Sequence, residues 1–286
     1  LAAACVLIGA FAISESRDTE APRRIDVAGL ALLTAGIGVF TLTFDRASVW
    51  GWRSLATAGA LTGAIALLAL FVVVERRVRW PLVDLSLARN MRFTVLVAAG
   101  SIANVAYGVT IFLSTVYLQD ARGLDPLAAG LVFLGPSAGA AAGGVLSGRL
   151  AAGHPVRVMG VATILAAASL GLLAAARDWA LYVPTLTACG FTLGLVYAFT
   201  TVATQAVVSP QRAGEAAGIA LTVMIVMGGV GVAVASTMLE RLRSTGMSTA
   251  GGIDVIFAIL AAALLPAGLL VVAVASRTAD PASERC

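Results

Sequence analysis

The sequence predicts an all-α fold, a polytopic transmembrane helix bundle, on three observations. Hydrophobic residues make up 59% of the 286 residues, charged residues only 12%, and the mean hydropathy is +0.96. The apolar residues fall into successive runs long enough to cross a bilayer, which takes about 20 residues at ~1.5 Å each. The charges lie between these runs. A water-soluble core of this size could not hide so much apolar surface, so the natural solvent is lipid.

The chain opens on a short apolar stub, Leu1–Ile13, that is too brief to span and has no basic segment before it. It reads as the end of a truncated helix rather than a signal peptide. Eight full-length runs follow. The first two are Val27–Phe44 and Ala56–Val74, and the next three are Phe93–Leu118, Leu127–Leu150 and Val158–Ala176. The last three are Ala180–Val202, Gly214–Leu239 and Val255–Ala275. Pro136 and Pro266 fall inside runs and should kink them. The loop Glu75–Arg92 contains PLVDLSLARNM, a pattern suited to a short amphipathic helix on the membrane surface.

The net charge of +4 comes from 19 arginines and no lysine, set against 15 acidic residues. These arginines sit in short loops between apolar runs, which argues against nucleic acid as a partner. Alternating the runs across the membrane puts thirteen arginines on the side of the stub's exit, Arg149 and Arg157 among them. The other side receives six: Arg46, Arg53, Arg122, Arg177, Arg241 and Arg243. The excess marks the first side, with the C-terminus, as cytoplasmic. Cys5, Cys189 and Cys286 lie far apart, and His154 is the only histidine. No disulfide framework, metal site or cofactor is expected.

Glycines recur at four-residue spacing: Gly135, Gly139 and Gly143, then Gly144 with Gly148, Gly190 with Gly194, and Gly214 with Gly218. Small residues let helix backbones approach in lipid, either as ordinary packing or for helices that slide. Gly135 to Gly139 also reads G-x-S-x-G, a hydrolase signature. That motif needs a strand-to-helix elbow and a histidine, but here it lies in a long apolar run with His154 seventeen residues on. An enzyme is not expected.

Every acidic residue lies at or beyond the end of a run, so none reaches mid-membrane depth. Polar residues concentrate in two runs. Phe93–Leu118 holds Ser101, Asn104, Tyr107, Thr110, Ser114 and Tyr117, and Ala180–Val202 with its extension holds Thr185, Thr187, Thr192, Tyr197, Thr200, Thr201, Thr204 and Gln205. Asn104 with Tyr107 and Tyr197 with Thr201 are three and four apart, so each pair shares a helix face. Such stripes line either a cavity or a helix–helix contact. Asn104, Tyr107, Tyr197 and Thr201 are the candidate substrate-cavity residues.

Several segments together resemble the fourteen-helix drug:proton antiporters of the major facilitator superfamily. Asp26-Val27-Ala28-Gly29-Leu30 followed by Trp50-Gly51-Trp52 is similar to their seventh helix and its outer loop. Pro81-Leu82-Val83-Asp84-Leu85 is similar to the loop before helix nine, and Tyr117-Leu118-Gln119, Gly123-Leu124, Pro126 and Gly130 to the next junction. Gly214, Gly218, Gly228, Gly229 and Gly231 resemble helix thirteen. The resemblance implies a partial major-facilitator fold, from the end of helix six through helix fourteen. Residues 1–14 are then the truncated helix, 15–92 the central two-helix segment, 93–276 the C-terminal six-helix bundle and 277–286 a cytoplasmic tail. Helices one to five, with most of an N-terminal bundle, are missing.

By the same resemblance the two polar runs are the cavity-lining helices of the bundle. Gly144, Arg149 and Arg157 match part of a cytoplasmic-loop signature that acts in conformational change, though Gly148 stands where an aspartate belongs. Leu221 and Met224 replace an asparagine and an arginine found in many relatives. The implied activity is proton-coupled export of drugs or other amphiphiles by alternating access. The proton gradient would be the energy source, with the titrating carboxylate in the absent N-terminal part, and the cell membrane the location. A transporter of another solute class, and a non-transporting membrane subunit, are the alternatives.

Overall fold

The computed structural model describes residues 26–78, 87, 89–150, 154–176 and 178–276. The stub, most of the amphipathic stretch of the Glu75–Arg92 loop and the C-terminal tail lie outside these. Helices account for nearly all described residues: α1 (Val27–Trp50), α2 (Leu55–Glu75), α3 (Met91–Val116), α4 (Pro126–Val132) and α5 (Leu134–Leu150). α6 (Pro155–Ala175), α7 (Trp179–Ala206), α8 (Ala213–Ser244) and α9 (Thr249–Ser276) complete them. α4 and α5 together make one span, giving eight membrane-length spans among the described residues.

The helices run past the apolar stretches because their ends are capped by polar residues. Asp26 accepts from the Gly29 amide at 2.9 Å, Ser54 from Thr57 at 3.1 Å and Asp125 from Ala128 at 2.7 Å. Pro126 occupies the first position of α4, where a missing N–H costs nothing. Ser248 accepts from the Gly251 amide at 3.1 Å and starts α9 six residues before the apolar run. Asp254 therefore sits within the helix, not ahead of it. Gly51, with φ 87°, closes α1 in a conformation other residues avoid.

The kink expected at Pro136 appears as a break. Lacking an N–H, Pro136 leaves the Val132 carbonyl without its helical partner, and the chain turns at Phe133 between α4 and α5. α9 runs unbroken through Pro266, as α7 does through Pro184. Beyond Val116, α3 loosens into a π-helical turn over Tyr117–Ala121.

α3 and α7 occupy the middle of the bundle. α6 packs on α9 and α7, α5 on α7, and α3 on α8, α7 and α9. Leu113, Met159, Leu170, Phe199 and Phe257 form the centre of the core. α1 and α2 pair with each other, and α1 leans on α8. Trp52, beyond α1, adds a hydrogen bond from Nε1 to Thr237 of α8 at 3.1 Å. Large apolar side chains such as Ile65, Leu165, Leu172 and Leu269 remain exposed on the outside, as lipid contact requires.

The glycine ladders divide by role. A Cβ on Gly139 would come within 2.6 Å of the Thr187 carbonyl, and one on Gly143 within 2.6 Å of the Phe191 carbonyl. Gly190 and Gly194 answer from α7, lying against the backbones of Pro136 and Ala140. These residues weld α5 to α7. Gly144, Gly148, Gly214 and Gly218 meet nothing within 4 Å and face open space. Ser137 of the G-x-S-x-G stretch is an exposed residue of α5, its amide bonded to Phe133 as in any helix. It sits on no elbow.

Candidate functional site

The sequence places Asn104 and Tyr107 on α3 and Tyr197 on α7, and the packing of these two helices brings them together. All three line one concavity of about 370 Å³. Leu193, Gly194 and Ala198 of α7 and Ala140 and Gly144 of α5 complete its wall. Sequence reasoning did not assign Ala140 or the glycines to the site. Their signal was the four-residue spacing, since small residues on α5 and α7 leave the room that the tyrosine rings border.

Asn104 is anchored from behind. Its Nδ2 donates to the Met224 carbonyl of α8 at 2.6 Å, and Gly228 makes this approach possible, since a Cβ there would stand 2.7 Å from Nδ2. Asn104 thus serves both as a helix–helix contact and as a wall of the concavity. Tyr107 is half-buried and Tyr197 is 43% exposed. Thr201 lies one turn beyond Tyr197, half-buried and outside the lining, with its carbonyl accepting from Thr204 Oγ1 at 3.0 Å. The lining contains no carboxylate and no arginine, so this half of the site is electrically neutral.

Arg149 is exposed near the end of α5 and Arg157 is exposed near the start of α6. Arg157 borders a second hollow of about 770 Å³ with Arg92, His154, Ser209 and Ser276. Residues from four span ends therefore share one face, which supports the alternation of spans. At the opposite end Arg122 lies over the Tyr117 ring at 5.3 Å and the Trp179 ring at 5.8 Å. Its Nε donates to the Tyr117 hydroxyl at 2.9 Å, and Tyr182 stacks beside both aromatics. Arg243 reaches Asp120 at 3.5 Å on the same end.

A third hollow, about 460 Å³, separates α1 and α2 from α8. Leu33, Phe40, Leu68, Phe71 and Met227 make it apolar, with Glu215 as its one charge. Glu215 pairs with Arg212 at 3.4 Å. Glu75, the last residue of α2, is buried but still lies at a helix end. Among the described residues no three of His, Cys, Asp and Glu gather where a metal could bind.

Comparison with known proteins gives this arrangement a lineage. The chain is similar to the tetracenomycin C resistance and export protein of Streptomyces glaucescens, 29% identical over 247 residues, which cover 82% of this chain and 45% of that protein. The multidrug resistance protein Stp of Mycobacterium tuberculosis is 30% identical over 247 residues, covering 84% and 45%. The putative multidrug resistance protein MdtD of Escherichia coli is 31% identical over 116 residues, covering 41% and 25%. The chain spans about half the length of the curated relatives it matches over most of its own residues. The Major Facilitator Superfamily model matches residues 28–232 and, overlapping them, 95–285. With eight membrane-length helices and this match, the chain belongs to the major facilitator superfamily.

Proposed function

We propose that this chain is the C-terminal portion of a secondary active exporter of drugs or other amphiphilic small molecules. It works by alternating access, two bundles rocking around a midplane site, and exchanges protons inward for substrate outward. The observation that carries this reading is the meeting of Asn104, Tyr107 and Tyr197 in one neutral concavity between α3, α5 and α7. Tyrosine rings give an amphiphile an apolar wall and give a cation a π face worth about 0.5–2 kcal/mol. Asparagine adds a donor and an acceptor without fixed charge, which suits broad selectivity. The names of the relatives, one a resistance and export protein and others multidrug resistance proteins, support the same substrate class.

In this reading the group that titrates during coupling belongs to the N-terminal part of the parent protein, which fits a concavity lined by no carboxylate. Arg149, near the end of α5, and Arg157, near the start of α6, act in the conformational change as the bundles rock. The test is dye efflux from cells expressing the full-length parent, with and without a proton uncoupler. Export that collapses with the uncoupler is the expected result. Export indifferent to the gradient would remove the proton from the mechanism.

The parent sits in the cytoplasmic membrane with the arginine-rich face inward. A reporter fused after Cys286, or placed in the Glu75–Arg92 loop, should therefore behave as cytoplasmic. An external signal from either fusion would invert the topology.

A further inference from the structure

Buried hydroxyls in this bundle follow a common rule. Ser101, Thr163, Thr200 and Thr204 each donate to the carbonyl four residues back, at 2.7 to 2.8 Å. Thr110 and Ser114, four apart on one face of α3, break it. Thr110 is 4% exposed and Ser114 fully buried, yet neither Oγ has a hydrogen-bond partner. The same is true of the Tyr182 hydroxyl on α7, in a residue only 2% exposed. Tyr182 and Ser114 stand beside each other across the α3–α7 contact, near enough to interact but short of hydrogen-bond geometry.

Buried polar atoms in native proteins are paired, with protein or with ordered water, and a lone exception calls for a cause. Two unpartnered hydroxyls one turn apart on one face of α3, and a third on α7 beside Ser114, call for a shared cause. A direct Ser114–Tyr182 bond would satisfy two of them and strand Thr110. A single water would satisfy all three, since internal waters typically make about three hydrogen bonds and each of these hydroxyls can donate or accept.

We propose that Thr110, Ser114 and Tyr182 hold an internal water molecule between α3 and α7. The site lies toward the Arg122 end of both helices, away from the Asn104–Tyr197 concavity, and does not depend on what the transporter carries. Such a water would pin the two central helices together where neither offers a direct polar contact.

Radiolytic hydroxyl-radical footprinting of the purified full-length protein tests this directly, because radicals born from a bound water oxidise the side chain beside it. Tyr182 should be oxidised severalfold faster than Phe199 and Phe257, which are equally buried with 0% and 1% exposure. The variant Thr110→Val/Ser114→Ala keeps the tyrosine and removes two partners of the water, so labelling should fall to the phenylalanine rate. Tyr182 labelling no faster than the two phenylalanines in the parent protein would overturn the proposal. Melting temperature gives an independent sign. Tyr182→Phe alone should lower it, and adding Thr110→Val and Ser114→Ala should restore it, because all partners then leave together. A rise on Thr110→Val or Tyr182→Phe alone would mean dry, stranded hydroxyls and would overturn the proposal.

Discussion

Replacing Gly190 with valine should leave little folded transporter. A Cβ at this position already collides with the Pro136 backbone, whose Cα and carbonyl carbon would lie at 2.6 and 2.8 Å. Backbone cannot step aside as a flexible side chain can, so α5 and α7 must separate along the Gly139–Gly143 and Gly190–Gly194 ladders. Overpacking a core typically costs about 1–3 kcal/mol and more where backbone must move. We expect at least ~3 kcal/mol here, a large share of the ~5–15 kcal/mol that holds most proteins folded. Gly148→Ala is the control, since nothing lies within 4 Å of its Cβ position. It should gain about 0.5–1 kcal/mol from helix propensity alone. Thermal melting and size-exclusion profiles of the full-length protein would show both. A Gly190→Val protein that melts with the parent would mean that α5 and α7 stand further apart.

The second large effect concerns Tyr107 and Tyr197. In the full-length parent, Tyr107→Ala and Tyr197→Ala should reach near-normal membrane levels and export compounds in a changed rank order. Loss of a ring that faces a cationic substrate should weaken its export by roughly 2- to 30-fold, the equivalent of a ~0.5–2 kcal/mol π contact. If both tyrosines were only helix contacts, expression or thermal stability would fall while substrate preference stayed fixed. Cysteine scanning separates the accounts again. Thiol reagents should label positions 104 and 107 from water and be blocked by substrate, whereas silence at both positions would end the cavity assignment.

Much of the architecture was legible because lipid imposes it. Eight apolar runs became eight spans, since a backbone in a bilayer has little choice but helix. Polar caps, invisible to a hydropathy count, set the true ends at Asp26, Ser54, Asn90 and Ser248. Of the candidate cavity residues, Asn104, Tyr107 and Tyr197 meet in one concavity, because a face shared along a helix is a local property. Thr201 shares a face with Tyr197 yet lies past the rim, and spacing alone could not show where the rim falls. Tyr182 is not among the candidates, because nothing in its own stretch of sequence sets it apart. Its role depends on Ser114 of another helix, and no local pattern encodes that meeting.

The hydroxyls that close on their own carbonyls have a consequence for how this sequence changes through descent. Ser101, Thr163 and Thr204 spend their polarity within one helical turn, so these sites can drift to alanine or valine without a matching change elsewhere. Two other pairs are not independent. Gly100 faces the Thr200 side chain, and Gly228 faces the Asn104 amide at a position where a Cβ would stand 2.7 Å away. Among relatives near 30% identity, substitutions at 100 with 200, and at 104 with 228, should therefore arrive together, while 101, 163 and 204 vary alone.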